Sequence, residues 1–180
     1  NNDAPVGDLS HLRFARSASA PLSPDIHRRF EERFKVPIIE TMGLTETGSQ
    51  ITTNPLPPAE RKIGSPGAAY GNEIMVADAE FAAVPTGQTG EILVRGKNVM
   101  QGYFKQPDET AKTITKDGWL RTGDLGYMDE DGFIYVSGRI KELIIKGGEN
   151  IAPREIDEAL LEHPSILEAA AFAVPCENYG

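Results

Sequence analysis

Two carboxylates and a set of hydroxyls stand at spacings that suit nucleotide chemistry. In Met42-Gly43-Leu44-Thr45-Glu46-Thr47 a glycine-containing turn presents hydroxyls beside a carboxylate. Hydroxyl donors suit phosphate oxygens, and a carboxylate suits a Mg²⁺ ion that bridges them. In Trp119-Leu120-Arg121-Thr122-Gly123-Asp124 an aspartate follows a tight turn. A fixed carboxylate that accepts two hydrogen bonds is the usual holder of the vicinal hydroxyls of a ribose. Each hexapeptide also has a plainer use: the first as a turn with a solvated glutamate, the second as an aspartate capping its own turn. A third segment, Gly90-Glu91-Ile92-Leu93-Val94-Arg95-Gly96 continuing to Val99-Met100-Gln101-Gly102-Tyr103, reads as a strand ending in glycines and has a structural use by itself. The fourth covers 138–156 and includes Gly138-Arg139-Ile140-Lys141 and Lys146-Gly147-Gly148. It joins two different textures, as a hinge followed by a loop would; an interdomain linker with charged ends is its plainer reading.

These segments need a scaffold. Residues 11–19 read as a strand, and Ser23 followed by Pro24 is an N-cap with proline at the first helical position, opening a helix to about residue 34. Ile26, Phe30 and Phe34 fall four apart, so that face should pack on a sheet. Val36-Pro37-Ile38-Ile39 gives a second strand, completing a β-α-β unit with parallel strands and a right-handed crossover. The loop after Ile39 then leaves the carboxyl end of a parallel strand, which is where open α/β sheets bind ligands.

From about Asn54 the texture changes. Asn54-Pro55-Leu56-Pro57-Pro58 interrupts regular structure, and short β-type runs follow at 73–76, Gly90–Arg95, 119–121 and 133–136, with turns at Pro85-Thr86-Gly87, Asp117-Gly118 and Asp131-Gly132. Beyond Gly138 come 142–145, the Gly147-Gly148 turn, a helix from 153 to about 162 and an apolar run over 169–174 that reads as a buried strand. That run lies close to the last residue with nothing after it to pair, so the sequence reads as a truncated one. The expected division is 1–56 as the end of an α/β subdomain, 57–139 as a β-rich, barrel-like subdomain, and 140–180 as a hinge and the start of an α+β domain.

Composition narrows the function. The 180 residues are 39% hydrophobic and carry 27 acidic against 18 basic side chains, net −9. Such a field repels phosphate backbones and anionic lipid, which argues against a general nucleic-acid or membrane binder. Any phosphate must be held by local groups or a metal ion. One cysteine, Cys176, excludes an internal disulfide framework and fits a reducing, cytoplasmic setting. No apolar run is long enough for a membrane span. Oligomeric state is not legible.

The four segments, in this order, resemble the adenylate-forming superfamily of acyl- and aryl-CoA synthetases, peptide-synthetase adenylation domains and luciferases, over about residues 11–180. The resemblance implies an α/β portion and a distorted barrel followed by a small mobile domain. It implies ATP, Mg²⁺ and CoA acting on a small carboxylic acid, first to acyl-AMP and then to acyl-CoA. By position, it implies that Thr45 hydrogen-bonds the α-phosphate and Glu46 helps hold Mg²⁺. Asp124 would bind ribose, with Arg139 beside it reaching ribose or phosphate. Ser19-Ala20-Pro21 would contact adenine through the backbone, with Met42-Gly43 next to the base. Lys141 would be the hinge, and Gly147 and Gly148 would line the pantetheine channel.

The departures are specific. Many relatives place an aromatic residue where this chain has Met42, which offers a softer contact. The usual glycine pair before Ala20-Pro21 is here Ala18-Ser19, which makes the local backbone shape an open question. A phosphate loop ending in Lys-Gly and a late catalytic lysine are not among these residues, so turnover is not expected from them alone. A carrier-protein-loading adenylation domain usually has a Gln-Val-Lys-Ile-Arg-Gly type of sequence after the hinge. Glu142-Leu143-Ile144-Ile145-Lys146-Gly147-Gly148 here favours CoA. Luciferase-like oxidation is not separated from ligase chemistry, and a non-catalytic nucleotide-binding module is the alternative from another class. The acid is not readable, although Ser17-Ala18-Ser19-Ala20-Pro21-Leu22 resembles ligases for small or medium acids, oxalate-type enzymes included.

Overall fold

Proline at the first helical position and Asp25 in the first turn start α1 (Pro24–Phe34), as expected, although the Ser23 side chain makes no capping hydrogen bond. The computed structural model describes residues 7–163 and 165–176. Before α1 lies β1 (Ala15–Ser17) and after it β2 (Ile38–Leu44), paired in parallel with Ala15 opposite Ile38. The β-α-β unit is therefore present, with two corrections. The first strand has three residues rather than the expected nine, because only 15–17 find a partner edge. The second runs past Ile39 through Met42-Gly43-Leu44, so that part of the first motif is strand and only Thr45–Thr47 form a 3₁₀ turn.

The face of α1 is also corrected. Ile26 is 54% exposed, whereas His27 is 1% exposed and is the helix's buried residue. Its ring nitrogens meet Glu40 on β2 at 3.2 Å and Glu31 one turn on at 3.1 Å. Glu31 also accepts from Arg61 and from the Ile38 amide. Burial pushes the Glu31 carboxyl up, but the hydrogen bonds from Arg61, Ile38 and His27 outweigh it and hold the group below its ordinary value. The helix is thus fastened to the sheet by a polar cluster, which no apolar periodicity could have revealed.

After the 3₁₀ turn come β3 (Ser49–Thr53), β4 (Gly67–Ala69), β5 (Glu73–Ala77), β6 (Gly90–Arg95), α2 (Pro107–Thr113), β7 (Leu120–Met128) and β8 (Phe133–Arg139). β3, β4 and α2 were not expected: the two strands carry Thr, Gly and Ala rather than a strong alternating pattern, and the helix is seven residues long. All eight strands form one sheet in the order β1-β2-β3-β4-β8-β7-β6-β5, parallel only between β1 and β2. The α/β class holds. The barrel-like portion is the antiparallel part of an open sheet that continues from the α/β strands, and it does not close. Its core gathers Val76, Ile92 and Ile134, with Ile74, Val84, Met128 and Val136 packed around them.

Past β8 a 3₁₀ turn (Ile140–Glu142) leads to a separate hairpin of β9 (Ile144–Lys146) and β10 (Glu149–Ile151), turned by Gly147-Gly148, and then to α3 (Pro153–Leu161). Arg154 donates to the Val136 carbonyl at 2.7 Å and Ala152 is buried against Gly138, so α3 docks on β8. The run 169–174 is not a strand: it has no regular structure, and Phe172 and Val174 are exposed. A strand needs a neighbour for its amides and carbonyls, and no described strand pairs with it. No helix among the described residues is long and apolar enough to cross a membrane.

Removing the His27 ring leaves Glu40 and Glu31 facing each other inside the fold without the group that joins them. His27→Ala is expected to destabilise the protein by about 3 kcal/mol, read from the urea unfolding midpoint at pH 7. A loss below about 1 kcal/mol would mean that α1 is held chiefly by its apolar residues.

Candidate functional site

The carboxyl ends of β1 and β2, the β7–β8 pair and the segment that follows β8 surround an open cleft of about 990 Å³. Ser19, Ala20 and Pro21 line it from the loop after β1, Met42 and Gly43 from β2, Asp124 from β7, and Arg139 and Lys141 from the end of β8 and the next turn. Eight of the expected residues therefore meet around one space: five from three of the four segments, and Ser19, Ala20 and Pro21 from the loop after β1. Thr45 does not line this cleft but an adjoining one of about 430 Å³, which shares Ser19, Thr41, Gly43 and Leu44 with it. Glu46, Gly147 and Gly148 line neither. The two glycines form the exposed β9–β10 turn.

The loop after β1 settles the open question of Ala18-Ser19. Ser19 has φ 76°, a left-handed conformation that glycine adopts freely and serine does not. The chain therefore keeps the bend a glycine would give, at a conformational cost of about 1 kcal/mol. On β2, Gly43 is required for another reason: a Cβ there would sit 2.4 Å from the Ser49 carbonyl oxygen. This close approach of β3 coincides with a register shift between Met42 and Gly43. That shift carries the strand into the 3₁₀ turn holding Thr45 and Glu46.

Asp124 owes its position to a bulge. Between Glu91 and Leu93 on β6, the β7 partners run from Leu125 to Arg121, so Thr122, Gly123 and Asp124 loop out of the ladder. Four bonds fix the loop: Glu91 Oε1 accepts the Gly123 amide at 3.1 Å, Glu91 Oε2 accepts Arg121 Nε and Nη2 at 3.0 and 2.9 Å, and Thr122 Oγ1 donates to the Ile92 carbonyl at 2.8 Å. Gly123, at φ 74°, makes the turn. Glu91 is 6% exposed, and sequence reading gave it no role because its partners lie on another strand.

Asp124 itself is buried and sits directly opposite Arg139, whose Nε donates to Oδ1 at 2.8 Å. Burial pushes the Asp124 carboxyl up and outweighs the Arg139 charge and hydrogen bond that pull it down; Glu142 and Glu91 add to the rise. A carboxylate kept in a cleft at a cost to itself is the pattern of a binding group. Glu40, buried on the cleft floor and tied to His27, is a further lining residue that sequence reading missed.

Glu46 accepts a hydrogen bond from the Tyr103 hydroxyl at 2.7 Å, and that carboxylate, with burial, pushes the phenol up. The Met100 amide donates to the Glu46 carbonyl and Asn98 Nδ2 to the Thr47 carbonyl. The stretch after β6 thus clamps the Thr45–Thr47 turn. Among the described residues no group of three or more His, Cys, Asp or Glu is placed to hold a metal ion. A Mg²⁺ ion bridging nucleotide phosphates needs only one or two carboxylates, because phosphates and water supply its other ligands. Glu46, with one oxygen engaged by Tyr103, fits that lesser demand.

Comparison with known proteins gives concordant findings. A family described as AMP-binding enzyme matches residues 1–104. The chain is 57% identical to a sulfoacetate–CoA ligase of Cupriavidus necator over 180 residues, which are 100% of this chain and 35% of that protein. It is 43% identical to an oxalate–CoA ligase of Saccharomyces cerevisiae over 94% of this chain and 32% of that one. Among solved structures, ATP-bound MatB of Rhodopseudomonas palustris superposes with a TM-score of 0.90 at 37% identity, covering 94% of this chain and 34% of that one. The chain spans about a third of the length of these relatives.

Because the folded-state value of Asp124 is raised, the folded protein holds this proton more tightly than the unfolded chain does. Its contribution to stability is therefore greatest below about pH 3.8 and declines as pH rises through the raised value. Asp124→Asn should flatten that decline in a stability profile between pH 4 and 7, and should leave the unliganded protein at least as stable at pH 7. Nucleotide affinity should meanwhile fall about tenfold or more, measured by titration calorimetry. A variant that loses stability at pH 7 but binds nucleotide normally would make Asp124 a capping residue only.

Proposed function

The chain belongs to the family of AMP-binding enzymes, and from that premise we propose that it forms the nucleotide-handling part of an ATP-dependent carboxylate–CoA ligase. The observation that carries this reading is the convergence of Ser19-Ala20-Pro21, Met42-Gly43, Asp124, Arg139 and Lys141 on one cleft, from segments 19 to 141 in the chain. A cleft of this size suits a nucleotide. The substrates are a small carboxylic acid, ATP and CoA. The acids named for the two curated relatives, sulfoacetate and oxalate, each carry two acidic groups, which favours a short diacid here as well.

In this reading the cleft acts by placement. The carboxylate oxygen of the acid attacks the α-phosphorus of ATP, pyrophosphate leaves, and acyl-AMP results; the CoA thiol then attacks the acyl carbon and AMP leaves. Asp124 accepts the ribose hydroxyls while Arg139, on its other oxygen, holds the carboxylate in orientation. The backbone bent at Ser19 and the strand at Met42-Gly43 flank the base. The Thr45 hydroxyl, in the smaller cleft that adjoins the larger one, donates to an α-phosphate oxygen as charge develops there. When bound, Mg²⁺ would neutralise phosphate charge, and Glu46 is the residue that would hold it. Lys141 lies in the short turn between the eight-stranded sheet and the β9–β10 hairpin. Few backbone bonds need to change there for the last unit to turn between the half-reactions. Gly147 and Gly148, away from the cleft in this arrangement, would reach the CoA channel after that turn.

The test uses the full-length protein, ATP and a panel of acids, with pyrophosphate and acyl-CoA measured separately. Pyrophosphate release with an acid, followed by CoA-dependent thioester formation, is the expected result. Release without transfer to CoA would point to a carrier protein as acceptor, and nucleotide binding without release to a non-catalytic module. In the same assay Lys141→Pro, which fixes φ near −65°, should lower thioester formation at least about tenfold more than pyrophosphate release. Equal loss of both would place the pivot elsewhere.

A further inference from the structure

The smaller cleft is chemically one-sided. Its lining holds one charged side chain, Arg16, together with the hydroxyls of Ser19, Thr41, Thr45 and Ser49, the Gln50 amide and apolar or glycine backbone, and no carboxylate. Arg16 Nε donates to Thr41 Oγ1 at 3.1 Å and Nη2 to Gln50 Oε1 at 2.7 Å. Both partners are neutral, and Arg16 makes no ion pair among the described residues, although the chain as a whole is strongly acidic. The guanidinium is thus held in place by two dipoles from β2 and β3 while its charge and its remaining N–H groups stay uncommitted. A planar, always-protonated fork in that state matches the oxygens of a carboxylate or sulfonate.

We propose that Arg16 binds the second, non-reacting anionic group of a short diacid whose other carboxylate is activated at Thr45. This rests on the ligase reading above and adds the substrate's recognition group to it. The two clefts share Ser19, Thr41, Gly43 and Leu44, so an acid in the smaller one presents its near end to the nucleotide in the larger one. Thr45 and Arg16 line the same small space, and a volume of about 430 Å³ suits a short molecule. A monoacid of equal length leaves the guanidinium without its partner there, so the site discriminates by the missing charge-assisted bonds, a stronger filter than size.

The test compares sulfoacetate with acetate, and oxalate as a second diacid, in the full-length parent, Arg16→Gln and Arg16→Lys, by initial rates of pyrophosphate release. The parent should prefer the diacids. Arg16→Gln should lower kcat/KM for them roughly 100-fold, mainly through KM, and should change acetate and the KM for ATP less than about threefold. Arg16→Lys should recover part of the loss. Equal loss for acetate and diacids would make Arg16 structural. A matching rise in the KM for ATP would make it a phosphate ligand, and a parent that prefers acetate would exclude the diacid; each overturns the proposal. A parent that releases pyrophosphate with no acid would overturn the ligase reading instead. In that case calorimetric titration of sulfoacetate decides Arg16 alone: binding lost in Arg16→Gln supports the anion site, and equal or absent binding removes it.

Discussion

A buried carboxylate has to be answered by donors, and Glu91 is answered by Arg121 and by the Gly123 amide across the β6–β7 seam. An isolated charge at 6% exposure would be strongly unfavourable. The strand beside it must therefore bring both donors within reach, and it does so by looping Thr122-Gly123-Asp124 out of the ladder. The bulge sets where Asp124 stands, and Asp124 in turn draws in Arg139 from β8. The wall of the cleft nearest Lys141 is thus built outward from one internal charge.

The opposite wall is built by close approach rather than by charge. Gly43 lets β3 press against β2, Ser19 accepts a left-handed backbone, and the register shift at Met42 tips the strand into the Thr45 turn. Behind this wall the His27, Glu40, Glu31 and Arg61 cluster ties helix to strand. Polar clusters of this kind specify one arrangement because every member needs its partner, whereas an apolar face tolerates small rotations. The placement of Arg16 between Thr41 and Gln50 depends on the same two strands staying in register.

The strand and loop from Gly90 to Tyr103 serve both walls. The strand supplies Glu91 to the bulge, and the loop supplies Asn98, Met100 and Tyr103 to the Thr45–Thr47 turn. Residues with no lining position of their own thereby hold the two segments that carry Thr45 and Asp124. Loss of either clamp would be felt at the cleft as misplacement, to which reactions governed by orientation are sensitive.

By itself the sequence determined the β-α-β opening, the positions of α1, β5, β6, β8 and α3, and the four segments whose order marks the family. Those are local signals: a proline after a cap, alternating apolar residues, glycines at turns. Five of the site residues picked from these segments, Met42, Gly43, Asp124, Arg139 and Lys141, line the main cleft beside Ser19, Ala20 and Pro21. Tertiary structure alone decided the rest. That His27 and not Ile26 faces inward, that Glu91 positions Asp124, that Tyr103 holds Glu46 and that Arg16 stands beside Thr45 all follow from partners that are 13 to 57 residues apart or on different strands. The β-rich part joins the β-α-β strands in one open eight-stranded sheet because β3 and β4, whose Thr, Gly and Ala residues give little pattern, bridge the two. A single sequence reports what each residue prefers near its neighbours in the chain. Which buried charge finds which donor is settled only when distant strands are brought into register, since burial makes the pairing necessary.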